Sequence, residues 1–120
     1  MKVLVVTPGE SPREVEIDGS LESMQNIVGG LIQAVYPFDD PVALVCNDEG
    51  KLLGLEPNRA LRDPNSGAVY DLICGPFFLC GLGLDDFVSL TDELLVKYRK
   101  YFESPELFMK LGDQLIVIPI

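Results

Sequence analysis

Short apolar runs recur along the chain, and polar or glycine-containing turns separate them. Residues 2–7 and 13–17 are rich in β-forming residues on either side of a Pro-Gly turn, which predicts the two strands of a hairpin. Residues 31–38 and 41–47 are apolar runs separated by two aspartates, which predicts a second hairpin with a tight acidic turn. The chain is therefore expected to begin as antiparallel β-structure.

Helical spacing of apolar residues occurs twice. Ser20 is a suitable N-cap and Gly29 a suitable left-handed stop, which together predict a short helix over 20–28. A stronger pattern begins at Thr91, where two acidic residues come first and three basic residues follow near the C-terminal end, an order that complements the helix dipole. The apolar stripe of this second helix predicts that it packs on a sheet with its cations facing water.

The middle of the chain is richer in turn residues. Residues 47–51 predict a hairpin loop in which Gly50 supplies a positive φ, and residues 52–55 predict the returning strand. Residues 56–62 contain Pro57 near their start, which predicts a turn or a single helical turn. A structured connection is expected here rather than a strand.

The last segments complete the predicted sheet. Residues 69–74 and 77–82 are two apolar strand candidates, and their apolar density indicates that at least one is central. Residues 104–110 predict a short helical turn, and residues 115–118 predict a final strand. The expected fold is α+β: a mostly antiparallel sheet of about five to seven strands, with two main helices packed on one side of it.

Length and charge limit the function classes. The chain has 120 residues, which suits a single domain over 1–120. Nineteen acidic against nine basic residues give a net charge of −10, so direct binding to nucleic acid is not expected. The chain has no His and no Trp, which excludes His-dependent triads and zinc sites. We therefore expect no enzyme activity, no cofactor and no metal site.

The cysteines and the apolar stretches indicate a compartment. Cys46, Cys74 and Cys80 are an odd number without C-x-x-C spacing, and each has apolar neighbours, which predicts buried free thiols. The apolar stretch after Lys2 is too short for a signal peptide, and the longest uncharged stretch, 72–84, is too short to cross a bilayer. A cytoplasmic protein that does not contact membranes is expected.

Three familiar ligand motifs fail on inspection. Gly81-Leu82-Gly83 lacks the third glycine of a dinucleotide fingerprint, because Asp86 stands in its place. Gly50-Lys51 lacks the hydroxyl residue and the first glycine of a phosphate-binding loop. The acids before Gly50 lack the spaced oxygen ligands of a calcium loop, so a hairpin turn is the simpler interpretation.

Polar side chains in two loops are the best recognition candidates. Arg59 and Arg62 can each hold a carboxylate or a phosphate through two hydrogen bonds, beside a turn that Pro57 and Asn58 set. The structural alternative is that Arg59 pairs with a carboxylate of the same chain and Asn58 caps the turn. The candidate binding residues are Asn47, Asp48, Glu49, Lys51, Asn58, Arg59 and Arg62.

Several of these segments together resemble a known family. The residues are Leu21, Gln25 and Val28-Gly29-Gly30, then 46–51, then Leu55 with Asn58-Arg59-Ala60-Leu61, and finally 86–92. Over about residues 1–102 the chain resembles an uncharacterised family of short bacterial and phage proteins, a domain of unknown function. The resemblance implies a setting near mobile elements in Gram-positive gut bacteria and assigns no catalytic residues. Residues 103–120 lie outside it, as a C-terminal extension with a final strand.

Three hypotheses of function follow. The first is a non-enzymatic accessory protein that binds another protein through the loops around 47–51 and 57–62; it expects Asn58→Ala and Arg59→Ala to keep the fold and lose the partner. The second is a small-molecule or nucleotide-binding domain, with Arg59 or Arg62 as clamp and Tyr36 or Tyr70 as stacking surface. The third is an acidic DNA mimic that inhibits a defence nuclease. Homodimerisation through Phe77, Phe78, Leu79 and Leu82 is a further alternative to their burial in the core.

Overall fold

The computed structural model describes residues 1–120 as two helices and ten strands, most of them around one antiparallel sheet. The elements in chain order are β1 Lys2–Val6, β2 Arg13–Glu16, α1 Leu21–Val28, β3 Ile32–Val35, β4 Val42–Asn47, β5 Pro57–Arg62, β6 Val69–Cys74, β7 Phe77–Leu82, β8 Phe87–Val88, α2 Asp92–Tyr101, β9 Glu106–Leu111 and β10 Gln114–Pro119.

The main sheet has six strands in the order β2-β1-β7-β4-β3, and β8 pairs with the end of β7. Every pairing is antiparallel, and on central strand β7 Leu79 lies opposite both Leu4 and Leu44. The strands β5–β6 and β9–β10 form two separate hairpins. The mostly antiparallel α+β fold with a central apolar strand is thus confirmed in outline. The expected single sheet of about five to seven strands is wrong, because ten strands are divided among three sheets, of which the largest has six.

Both predicted helices are present, with the expected caps. The Ser20 side chain accepts a hydrogen bond from the Ser23 amide at 3.1 Å, and Gly29 ends α1 with a φ of 76°. The Thr91 hydroxyl accepts from the Leu94 amide at 3.2 Å at the start of α2. These caps satisfy amides that no helical carbonyl can reach, so local sequence alone fixes where each helix begins.

The two helices pack on opposite faces of the sheet, not on one side as predicted. Met24 and Val28 of α1 join a core cluster with Val3 and Val5. Leu95 and Tyr98 of α2 join the other cluster, which contains alternate residues of the same strands, such as Leu4, Val6 and Leu44. Because successive strand residues point to opposite faces, the continuous apolar runs of β1, β4 and β7 require cover on both sides.

The apolar patch suggested for homodimerisation belongs to this core. Phe77, Phe78 and Leu79 are fully buried, and they alternate between the two clusters. Leu82 is half-buried and packs against the α1 side. The patch is therefore not available to a second copy of the chain.

Two predictions for the middle of the chain are wrong. Residues 52–55 form turns, not a strand: the Leu53 and Leu55 amides donate to the carbonyls of Glu49 and Gly50. Residues 57–62 are strand β5, not a turn, because they find a partner in β6, where Ala60 lies opposite Leu72. The two segments exchange roles because pairing with a distant strand outweighs the local turn preference of Pro57.

The segment 104–110 is also a strand rather than a helical turn. Most of it forms β9, which pairs with the predicted final strand β10 from the pair Glu106–Pro119 to the pair Leu111–Gln114. Glu106 ties the hairpin to β5: its carboxylate accepts from the Ala60 amide at 2.9 Å and from the Arg62 guanidinium at 2.8 Å. A helical turn would break both the pairing and this anchor.

We expect Glu106→Ala to lower the free energy of unfolding by about 1–2 kcal/mol, because it leaves the buried Ala60 amide without an acceptor. Glu106→Gln keeps an acceptor for that amide and loses only the charge that faces Arg62, so its loss should be smaller. Urea unfolding of the two variants checks this expectation. Equal losses would show that the ion pair, rather than the amide, carries the anchor.

Candidate functional site

A groove beside the sheet edge collects four of the predicted binding residues. We define this β3 groove as the depression of about 300 Å³ between β3, the loop 47–52 and β6. Asn47, Asp48, Glu49 and Lys51 all line it. The structure thus brings these four residues to one depression, while their role in binding stays a prediction.

Asn47 shapes the groove rather than opening toward a ligand. Its side-chain amide donates to the Val28 carbonyl at 3.1 Å, and its side-chain oxygen accepts from the Glu49 amide at 2.8 Å. The residue is buried at the end of β4, where it joins α1 to the loop. Its role is to fix the loop conformation through an Asx turn.

The loop needs Gly50 for its close approach to the end of β6. The prediction that Gly50 supplies a positive φ is wrong. A Cβ atom at Gly50 would lie 2.6 Å from the Cys74 carbonyl oxygen, closer than packing allows. The positive φ of this loop falls at Gly54, at 72°. The missing side chain of Gly50 therefore lets the loop lie against the end of β6.

The rim of the β3 groove is acidic. Asp48 and Glu49 are exposed, and Asp71 on β6 forms an ion pair with Lys51 across the opening. The pKa of the Cys46 thiol is raised, first by burial and then by the negative charges of Asp71 and Asp48. Burial likewise raises the pKa of Cys74, so neither cysteine beside the groove is a thiolate nucleophile at neutral pH.

The edge of β3 exposes unpaired backbone groups beside this rim. β3 pairs with β4 only and has no neighbour on its other side. The Asp48 amide donates to the Leu31 carbonyl, and bonded pairs alternate along an antiparallel ladder, so Ile32 and Ala34 direct their amides and carbonyls outward. These groups offer hydrogen bonds to an added strand.

Asn58 and Arg59 lie inside the molecule. Asn58 is fully buried, and its side-chain amide donates to the carbonyls of Val6 at 2.8 Å and Gly75 at 2.9 Å. It connects β5 to the strand β1 and to the turn before β7. Asn58 is therefore a buried residue that links these segments, and its interpretation as a surface recognition residue is wrong.

Arg59 is 1% exposed, and its guanidinium donates hydrogen bonds to carbonyl oxygens. Its guanidinium donates to Phe102 O at 3.3 and 3.0 Å, to Glu10 O at 2.7 Å, and to the backbone and side-chain oxygens of Asn58. No carboxylate is paired with it, contrary to the structural alternative considered from the sequence. Burial lowers the pKa of Arg59, yet an arginine stays charged at neutral pH.

Arg62 is half-buried and is the partner of Glu106 at 2.8 Å. Neither arginine is therefore left to clamp an anion, and the nucleotide hypothesis loses both of its predicted clamps. Tyr36 and Tyr70 are exposed, as a stacking surface would need.

A second cavity, of about 450 Å³, lies between α2 and the β3–β4 turn. Three of the polar side chains that line it form hydrogen bonds with one another. The Tyr98 hydroxyl and the Lys97 ammonium both donate to Asp40 Oδ2 at 2.6 Å. These two hydrogen bonds, Lys97 first, lower the pKa of Asp40. The sequence places Lys97 on a solvated face, and its pairing with Asp40, 57 residues away, has no local signature.

Sequence reasoning missed the acid that completes the groove. Asp71 lies within the apolar run of β6, and a charge inside such a run is the only indication of its role. Neither helix has the length and apolarity that a membrane-spanning helix requires. No group of three or more His, Cys, Asp or Glu side chains converges as a metal site would need.

Comparison with known proteins gives one match. The profile of a family described as a domain of unknown function, DUF3846, matches residues 1–103. This range includes the β3 groove and ends just before the β9–β10 hairpin. No curated protein and no solved structure matches the chain.

Proposed function

The chain belongs to the DUF3846 family, whose function is unknown, and we propose from its structure that it is a non-enzymatic interaction module that binds an extended basic segment of another protein along β3. In this proposal it acts in the cytoplasm as an accessory protein of the plasmid- or phage-associated type. The observation that carries the proposal is the open edge of β3 next to the acidic rim of the β3 groove.

The open edge supplies the affinity in this proposal. An extended peptide can add a strand to an exposed edge, where main-chain hydrogen bonds hold it and alternate side chains give specificity. Ile32 and Ala34 provide the outward backbone groups, and the side chains of Gln33 and Val35 form one wall of the groove. Alternate residues of the added strand would therefore point into the groove.

The rim supplies the preference for a basic segment. Asp48, Glu49 and Asp71 outnumber the single Lys51, and the whole chain carries a net charge of −10. A basic segment is attracted over a distance and then meets carboxylates at the docking site. An acidic or phosphorylated segment would be repelled by the same field.

Selection from a random 12-residue peptide display library tests this proposal. We expect enrichment of peptides that combine Lys or Arg with β-forming residues, and about tenfold weaker binding of a selected peptide to Ala34→Pro. Proline at this position removes an outward amide without removing a hydrogen bond between β3 and β4. Ala34→Ser keeps the amide and is the matched control.

The double variant Asp48→Lys/Glu49→Lys tests the rim separately from the edge. It should weaken binding by a similar factor, and the loss should shrink as salt screens the charges. Circular dichroism establishes that each variant is folded. No enrichment of basic peptides, or selected peptides that bind both variants as well as the wild type, would refute the proposal.

A further inference from the structure

The β9–β10 hairpin has an apolar face that the rest of the chain leaves open. Its main contact with the body is the one between β9 and β5, anchored by Glu106. Residues directly opposite on an antiparallel pair point to the same side of the sheet. The pairs Leu107–Ile118 and Met109–Ile116 therefore share one face, which continues to Leu111 and Ile120.

Most side chains of this face are exposed. Leu107, Met109, Leu111, Ile118 and Ile120 each keep between 42% and 73% of their surface accessible. A two-stranded hairpin is marginally stable in water and needs cover for its apolar side. An exposed, contiguous apolar patch of this kind marks an interaction surface.

We propose that this face packs against the same face of a second copy of the chain, so that two hairpins form a small two-layer sandwich about a two-fold axis. Packed sheets lie about 10 Å apart, with their side chains interdigitated. A two-fold arrangement uses one surface on both copies, so an apolar face free of charge is complementary to itself.

The distribution of charge distinguishes this face from the rest of the surface as the place where two copies can meet. The chain carries a net charge of −10, so two copies repel each other over most of their surfaces. Gln114 is the only polar residue among the seven on this face, and none of the seven side chains is ionisable. This is the surface through which two such acidic chains can approach most closely.

The chemistry of the face also fits a homodimer better than a foreign partner. Homodimer interfaces are more apolar than transient interfaces between different proteins, which resemble the ordinary surface. The exposed side chains offer about 500 Å² on each copy, so that about 1,000 Å² is buried in total, the lower limit for a specific interface. We therefore expect a reversible dimer rather than a permanent one.

Sedimentation equilibrium of the full chain over about 1–200 μM tests the dimer. The mass should rise with concentration from 13.2 kDa toward twice that value. Met109→Asp should weaken the dimer by at least about tenfold, because it places a charge inside the apolar interface. Leu84→Asp adds the same charge at the most exposed leucine, outside the hairpin, and should leave the dimer intact.

Ile120→Asp is a second test variant, which keeps the proposal testable if Met109→Asp unfolds the hairpin. Ile120 lies beyond the last residue of β10, so its substitution cannot break the strand pairing, and it should also weaken the dimer. A monomer at every concentration, or a dimer that is insensitive to both hairpin variants, overturns the proposal. Binding of the monomer to phosphatidylcholine vesicles through the same residues would identify a lipid surface as the occupant and overturn it equally.

Discussion

Replacing Arg59 with alanine should lower the free energy of unfolding by about 3–5 kcal/mol, one of the largest losses that a single substitution can cause in this chain. The side chain is 1% exposed, and it holds the carbonyl oxygens of Glu10, Asn58 and Phe102. Alanine removes all these donors at once and leaves a cavity. Each buried carbonyl that loses its partner adds a desolvation penalty.

The size of the effect follows from what Arg59 connects. Glu10 lies in the β1–β2 connection and Phe102 at the end of α2, so the guanidinium joins two segments that share no strand pairing. Asn58 extends the same network to β1 through the Val6 carbonyl. No buried side-chain nitrogen or oxygen in the structure lacks a partner, so no spare buried donor is present to replace the guanidinium.

Chemical denaturation of Arg59→Ala, with Arg99→Ala as control, measures this loss. Arg99 lies on the same protein's surface, half exposed and 3.8 Å from Glu14, so its removal should change stability by less than about 1 kcal/mol. Arg59→Lys should recover only part of the loss, because an ammonium cannot reproduce the planar fork of donors. A fully stable Arg59→Ala that loses a binding partner would instead restore the surface recognition hypothesis.

The contrast between Asn47 and Asn58 shows what the sequence could reveal about the site. Both were expected in polar surface loops, because asparagine favours turns. Asn47 does make a local turn, with the amide of Glu49 two residues away. Asn58 instead bonds to carbonyls 17 and 52 residues distant, and no local pattern announces such partners.

The same distinction separates correct from wrong elements of the fold. Both helices and the first two hairpins were predicted because caps, turn residues and periodicity act within a few residues. Strands β5 and β9 were missed because β5 begins at Pro57 and β9 directly after Pro105, and proline favours a turn or helix start, while the partner strand decides the outcome. Of the acidic rim, the sequence predicted Asp48 and Glu49 but not Asp71. Asp71 lies on β6 and meets Lys51 of the loop 47–51 only because the fold brings this strand beside the loop.

The protein should also lose stability steeply in alkali, in large part through Cys80. This residue lies on the central strand β7, opposite Ala43 and fully buried on the α1 side of the sheet. Burial raises the pKa of the Cys80 thiol from 9.0 to about 12. A thiolate in that position would be an unpaired buried charge.

The direction of the effect follows from proton binding. Between the unfolded pKa of 9.0 and the folded pKa of about 12, the folded chain keeps a proton that the unfolded chain releases. The contribution to stability is therefore fully present below pH 9 and is lost as the pH rises through this window. The whole shift corresponds to about 4 kcal/mol, of which about half is lost between about pH 9 and 11.

Comparison of Cys80→Ala with the wild type isolates this contribution from the other groups that titrate in alkali. Burial and the hydrogen bond to Asp40 raise the pKa of Tyr98 as well, so the variant should still lose stability, but less steeply. Urea unfolding at intervals from about pH 8 to 11 should show that the free energy of unfolding of the wild type falls by about 2–3 kcal/mol more than that of Cys80→Ala, whatever their difference at pH 8. Cys74→Ala, which changes a thiol beside the β3 groove, should keep most of the wild-type slope. Parallel curves for the wild type and Cys80→Ala would mean that the core around β7 admits a thiolate, and hence that water reaches the centre of the sheet.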